Sequence, residues 1–332
     1  MRDFGNRHNE ADRLAKAGLL DEAVKLYKAA IRLNPSNVEL YHGLGDVLDN
    51  LKFYDEAIDA YQTAISLTPD DAELHNDFGV VLEHSEQQNK AASEYKEAIH
   101  LDPQYPNPYL NLAILFEKSR EYDGAVSYYR TAIQLQPNYV RAYQRLGSLL
   151  DMIGQTDDAI IIFNEGLHIA PDDVNMHNDL GIALERLGHN VEALGQYRIA
   201  IQLQPSADLY NNLGLLLNHL GRYQEAVDSF NAALRLNPSD AETYNNLGVA
   251  LDELKNYDKA FTAYQDAIHR NPDDARAYFN LGINRSEKKL WHEAVNAFQK
   301  SLQLRPENAD ALRHLASILE EHGNSSSEDR VS

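Results

Sequence analysis

Proline recurs at Pro35, Pro69, Pro103, Pro137, Pro171, Pro205, Pro238, Pro272 and Pro306. Every interval is 34 residues except one of 33, between Pro205 and Pro238. A chain of 332 residues would otherwise suggest about two globular domains. A fixed period running through nearly all of it replaces that count with a stack of like units. With the proline as position 32, units start at residues 4, 38, 72, 106, 140, 174, 207, 241 and 275, and a half unit starts at 309.

Other columns fall into the same register. Position 8 is Gly or Ala throughout, from Ala11 and Gly45 to Gly282 and Ala316. Position 20 is always Ala, from Ala23 to Ala294, and position 24 is always aromatic, from Tyr27 to Phe298. Positions 4, 7, 8 and 11 follow the spacing of one helix face, and positions 20, 24, 27 and 28 that of a second. Gly18, Gly154, Gly188 and Gly221 stand between them as C-terminal caps. Proline at 32 ends the second helix. The Pro-Asp-Asp runs at 69–71, 171–173 and 272–274 supply N-caps for the next helix. Each unit is therefore a helical hairpin. Small residues at 8 and 20 let its helices approach, and the ring at 24 fills the space between them. One hairpin cannot bury its apolar face alone, so the units must stack.

The pattern Tyr41-His-Gly-Leu44-Gly45, repeated as Tyr244-Asn-Asn-Leu247-Gly248, and the set Ala57, Tyr61, Ala64, Pro69 resemble the tetratricopeptide repeat. The resemblance covers residues 4–322 and implies an all-α fold: a right-handed superhelix (an α-solenoid) of about nine helix-turn-helix repeats plus a C-terminal capping helix. It also implies that the first helices line a concave groove that binds peptides or protein segments. Arg7 and Glu10 depart from the columns and fit a solvated N-terminal cap. Leu312, Leu315, Ala316 and Leu319 are expected to be the packed stripe of the closing helix. Residues 323–332, Gly-Asn-Ser-Ser-Ser-Glu-Asp-Arg-Val-Ser, form a polar tail expected to be disordered.

Charge and composition remove several functions. Lys and Arg number 30 against 51 Asp and Glu, a net charge of 30 − 51 = −21. Nucleic acid and anionic membrane require clustered positive charge, so neither is expected as a partner. The absence of cysteine excludes disulfides and thiolate sites. No stretch reaches 18 apolar residues, and MRDFGNRHNE lacks the apolar core of a signal peptide, so a cytoplasmic, non-inserting protein is expected. There is no Gly-x-Gly-x-x-Gly, P-loop or Gly-x-Ser-x-Gly, and Asn296 stands where His292-Glu293 would need a second histidine. His100, His168 and His269 share position 29, and His84 and His219 share position 13, so copies on different units do not converge on one metal. Sixteen of the nineteen tyrosines occupy positions 4, 17 or 24 and are read as packing residues. Catalysis needs one asymmetric constellation, and repeated copies of one surface supply none. No enzyme activity, cofactor or metal is expected.

Positions 2, 5, 6, 9, 12 and 13 lie off the packed stripe of the first helix and, by the resemblance, face the groove. Asparagine and aspartate concentrate at 5 and 6: Asn76, Asp77, Asn111, Asn178, Asp179, Asn211, Asn212, Asn245, Asn246 and Asn280. An amide offers a donor and an acceptor together, which matches a peptide unit. The column is similar to the asparagine ladder in the repeat arm of protein O-linked N-acetylglucosaminyltransferases, although Gly43, Arg145 and His314 interrupt it. Position 12 forms an acidic stripe of Asp49, Glu83, Glu117, Asp151, Glu185 and Asp252. One sign of charge along a concave wall steers a basic partner. The expectation is a non-catalytic scaffold holding an extended, basic or amphipathic segment of another protein. The alternative is the substrate-recruiting arm of a glycosyltransferase whose catalytic part lies on another chain. Self-association through the end repeats is a third expectation.

Overall fold

The computed structural model describes the backbone of residues 2–322 and the side chains of residues 8–321; the polar tail and the side chain of Arg7 lie outside the described residues. All regular structure among the described residues is helical. The chain divides into two compact units, one ending at Ala170 and the other beginning at Pro171. The first holds α1 (Arg2–Lys16), α2 (Leu20–Leu33), α3 (Val38–Asn50), α4 (Tyr54–Leu67), α5 (Ala72–His84), α6 (Gln88–Leu101), α7 (Pro106–Lys118), α8 (Tyr122–Leu135), α9 (Val140–Met152) and α10 (Thr156–Ile169). The second holds α11 (Val174–Arg186), α12 (Asn190–Leu203), α13 (Ala207–His219), α14 (Tyr223–Leu236), α15 (Ala241–Glu253), α16 (Tyr257–Arg270), α17 (Ala275–Glu287), α18 (Trp291–Leu304) and α19 (Ala309–His322). From α2 to α18 every first helix covers positions 1–13 and every second helix positions 17–30. The residue missing from the sixth spacing is lost from an inter-repeat loop: residues 204–206 connect α12 to α13, where four residues serve elsewhere.

The hairpin seam follows the columns. Ala23, Ala57, Ala91, Ala125, Ala159, Ala193, Ala226, Ala260 and Ala294 are fully buried, and so are the rings of Tyr95, Tyr129, Phe163, Phe230 and Phe298. A Cβ added to Gly45 would stand 2.5 Å from the Tyr61 ring, and one on Gly181 2.7 Å from the Tyr197 ring. That is inside van der Waals contact, so glycine here sets how closely the hairpin closes.

Turn chemistry also follows. Position 15 takes positive φ in all nine repeats: Gly18, Gly154, Gly188 and Gly221 at 72–84°, but also Lys52, Glu86, Arg120, Lys255 and Lys289 at 57–64°. The second aspartate of each Pro-Asp-Asp run caps the following helix: Asp71 accepts from Glu73 N and Leu74 N, Asp173 from Met176 N, and Asp274 from Arg276 N. The ring at position 4 is tied back to the preceding proline. Tyr41, Tyr109 and Tyr143 each donate a hydroxyl to the carbonyl of Pro35, Pro103 and Pro137 at 3.2 Å. His75 and His177 do the same to Pro69 and Pro171 through Nε2, at 3.0 and 2.9 Å.

The closing helix corrects one expectation. α19 packs through Ala311, Leu315 and Ile318, whereas Leu312 and Leu319 are about half exposed (50% and 48%) and Ala316 is exposed. Positions 4, 8 and 11 face the second helix of their own hairpin, and no such helix follows among the described residues.

Candidate inner-wall binding surface

Within each unit the first helices reach the first helices of neighbouring repeats: α1 to α3, α3 to α5 and α5 to α7, then α13 to α15 and α15 to α17; the second helices of successive repeats make no comparable approach. The first helices therefore form the tighter inner wall. Their side chains are joined by a repeated rung, in which position 6 of one repeat bonds position 5 of the repeat before it. Asn111 Nδ2 donates to Asn76 Oδ1 at 3.0 Å, Asn212 to Asn178 at 3.0 Å, Asn246 to Asn211 at 3.3 Å and Asn280 to Asn245 at 2.9 Å. His42 Nε2 and Asp77 make the equivalent rung at 2.9 Å.

The two asparagine columns thus have different fates. Asn76 and Asn245 are buried beneath the rung, and Asn178 and Asn211 are half-buried. Asn76 and Asn178 spend their own amides on Asp77 and Asp179, at 2.9 and 3.3 Å. Asn111, Asn212, Asn246 and Asn280 are half-buried, each with one amide proton held by the rung. Among the described residues, neither the other proton nor the carbonyl oxygen of these four has a hydrogen-bond partner. The rung fixes the orientation of the amide, which removes part of the entropy cost of using it.

The acidic stripe is tied to the tyrosines beneath it. Tyr95 donates to Glu83 (3.2 Å), Tyr129 to Glu117 (2.6 Å), Tyr197 to Glu185 (3.1 Å) and Tyr264 to Asp252 (2.8 Å). In the first two repeats the acceptor sits at position 9 instead, where Tyr27 donates to Asp12 at 2.5 Å and Tyr61 to Asp46. A buried hydroxyl needs an acceptor, so every tyrosine at position 24 comes with a carboxylate above it. The three repeats with phenylalanine there differ. Asp151 accepts from Thr156 at 2.9 Å, Ser286 donates to Gly282 O at 2.9 Å, and Asn218 has a buried Oδ1 with no partner.

Basic side chains from the next repeat also meet the stripe: His84 bonds Asp49 at 2.9 Å, Lys118 bonds Glu83, and Arg145 lies 3.9 Å from Glu117. Among the described residues Asp252 has no such cation within ion-pair distance. Burial pushes its carboxyl above the usual range, against the hydrogen bonds of Asn284 and Tyr264 and the charge of Arg285, and Glu287 adds to the rise. Burial likewise pushes the Tyr61, Tyr95 and Tyr264 phenols far up, with their carboxylate partners adding to it. Beside the wall, Asn107 donates to the Tyr105 hydroxyl (3.1 Å) and accepts from Tyr139 (2.9 Å). Burial pushes the Tyr105 phenol up to about 12.

Two features escaped the column reading. In the ninth repeat positions 10 and 11, apolar from the second repeat to the eighth, are Asn284 and Arg285, and both are buried. Arg285 stacks on Phe261 at 3.9 Å and donates to Asn284 Oδ1, whose amide reaches Asp252 and the Tyr257 carbonyl. The break in the two columns was the available signal. The second feature is the carboxylate pair Asp12 and Asp46 at position 9, visible as two aspartates where Val80, Ile114 and Ile182 follow. Among the described residues no group of three or more His, Asp or Glu is arranged to hold a metal ion. No described helix is long and apolar enough to cross a membrane.

Comparisons with known proteins agree with this geometry. Family models described as tetratricopeptide repeat match residues 8–72, 117–181, 205–270 and 289–327, and one described as TPR repeat matches 84–119. No curated protein matches the chain. Among solved structures, the APC/C hetero-tetramer Cut9–Hcn1 is similar at 21% identity and a TM-score of 0.54, covering 90% of this chain and 59% of that one. YrrB, described as a TPR protein with an unusual peptide-binding site, is 20% identical over 56% of this chain and 96% of its own, with a TM-score of 0.49. MamA is 29% identical over 52% of this chain and 94% of its own, with a TM-score of 0.47. With repeat models matching most of its length, and with the hairpin seam, proline stops and capped turns seen above, the chain belongs to the tetratricopeptide repeat family.

Proposed function

We propose that this protein is a non-catalytic interaction module whose inner wall holds an extended segment of another protein, with a preference for basic segments. The observation that carries the reading is the set of pinned amides at Asn212, Asn246 and Asn280. Each keeps a carbonyl oxygen and one N–H for a ligand, which is the complement of a peptide unit. Packed helices lie about 8–10 Å apart, and extended chain advances about 3.3 Å per residue, so each rung meets roughly every third residue. Apolar side chains at position 9, Leu215, Val249 and Ile283, run alongside and supply contact area. The excess of 51 acids over 30 bases supports the charge preference.

The test uses ten-residue peptides selected on the wild-type protein from a random display library. Replacing Asn212, Asn246 and Asn280 together with alanine removes three hydrogen bonds worth about 1 kcal/mol each. Affinity is expected to fall roughly 100-fold while helicity is kept, with a modest drop in Tm because Asn178 and Asn245 lose their rung partners. Unchanged affinity in a folded variant would refute the ladder.

A further inference from the structure

α19 has one packed side and one uncovered side. Ala311, Leu315 and Ile318 pack against Ala294 and Phe298 of α18, and His314 stacks on Phe298 at 5.6 Å. Positions 4, 8 and 11, which in the hairpins lie under the second helix, are here Leu312, Ala316 and Leu319. No second helix follows them among the described residues. Residues 323–332 carry one apolar side chain, Val331, and cannot supply a matching stripe. Single exposed leucines need no explanation, but a continuous apolar stripe does.

The stripe matches a copy of itself turned end for end. Leu312, Ala316 and Leu319 are spaced i, i+4, i+7, which is one line along a helix surface. The two leucines are half exposed and the alanine is exposed. With a two-fold axis beside Ala316, each Leu319 falls between Leu312 and Ala316 of the other copy. The two alanines meet at the centre and let the backbones approach. The charges along one edge then select the direction. Arg313 and Glu320 lie two turns apart, so they flank the stripe on the same side, and both are exposed. An antiparallel pair sets Arg313 of each copy opposite Glu320 of the other, which gives two equivalent ion pairs. A parallel pair sets that edge against Leu315 instead. Asp310 already holds the Arg313 guanidinium on the helix, which reduces the side-chain entropy that a further pair must give up.

We infer that α19 pairs antiparallel with α19 of a second copy of this chain, and that each copy covers the open face of the other's last repeat. A helix of 14 residues is about 21 Å long. The contact is therefore smaller than a standard interface, and the dimer is weak, with a dissociation constant of roughly 10–500 μM. The inference goes beyond the reading of the inner wall and does not rest on it.

Sedimentation equilibrium of the full chain over about a hundredfold range of concentration reads the association. Arg313→Glu and Glu320→Arg each set like charges opposite one another, and each is expected to weaken self-association about tenfold. An equimolar mixture of these two variants has complementary edges again and is expected to associate at least as tightly as wild type. The double variant Arg313→Glu/Glu320→Arg is expected to recover self-association for the same reason. Leu319→Glu is expected to abolish it. All these positions are half exposed or exposed, so circular dichroism of every variant should match wild type. A chain that stays monomeric throughout, association that survives Leu319→Glu, charge variants that associate no better mixed than apart, or a double variant no tighter than the single ones would overturn the inference.

Discussion

Asn218 lacks a partner because the ring below it lacks a hydroxyl. In four repeats a tyrosine bonds a carboxylate twelve residues before it, with Tyr264 and Asp252 at 2.8 Å as the nearest example. Phe230 stands at that offset from Asn218, fully buried, and Asn218 Oδ1 is buried and unpartnered. The seating is alike: a Cβ on Gly214 would meet Phe230 Cε1 at 2.6 Å, and one on Gly248 would meet Tyr264 Cε1 at 2.5 Å. Phe230→Tyr should therefore place its hydroxyl on Asn218 without moving the ring. A neutral hydrogen bond contributes about 1 kcal/mol, and relieving a buried orphan acceptor contributes about 1 kcal/mol or more. In a folding unit of this size a gain of about 1 kcal/mol raises Tm by roughly 2–4 °C. Thermal and urea unfolding of Phe230→Tyr, of Asn218→Leu and of the double variant isolate the pair. The gain should vanish in the Asn218→Leu background. A neutral or destabilising Phe230→Tyr, or a gain that survives without Asn218, would refute the pairing rule.

Other outcomes follow from the same geometry. Lys255 holds φ at +57° where other repeats use glycine, so Lys255→Gly should stabilise by about 0.5 kcal/mol after the unfolded-state entropy of glycine is subtracted, whereas Gly188→Ala should cost about 1 kcal/mol; urea midpoints decide both. Asn284→Ala strips Arg285 and the Tyr257 carbonyl of a buried partner and should cost about 2–4 kcal/mol, most of it recovered when Arg285→Leu restores an apolar pair. The hydrogen bond to Asp77 raises the His42 pKa above 6.5, against desolvation, with Asp46 and Glu73 adding to the rise. Stability from this rung is therefore full below the unfolded-state pKa and is lost as pH rises through the higher folded value; NMR titration of His42 should show the raised midpoint, and Asp77→Asn should remove it.

The hairpin seam, proline stops and aspartate caps were legible because each is dictated by one residue type at one position. Gly45 and Tyr61 announce their contact by size alone. Lys52 and Glu86 did not announce their left-handed turns, because the stacked hairpin imposes that conformation against local preference. The asparagine columns were visible, but not that Asn246 spends one proton on Asn211, since the rung depends on the offset between neighbouring helices. The acidic column was read as a field for partners, while Glu117 and Asp252 also answer the hydroxyls of Tyr129 and Tyr264. That requirement left a partial trace in positions 12 and 24, where Tyr95, Tyr129, Tyr197 and Tyr264 follow an acid but so does Phe163 after Asp151, and it takes side-chain reach to recognise it. Leu312 and Leu319 fit the packed pattern but lie half exposed, because a stripe is buried only where a covering helix follows.

The central claim is that the pinned amides of the inner wall touch the bound chain. Side-chain amide NMR of Asn212, Asn246 and Asn280 during titration with a library-selected peptide measures this directly. The account predicts that all three amide pairs shift together along the saturation curve given by the peptide itself. A peptide that saturates the protein while the three pairs stay unmoved would contradict it.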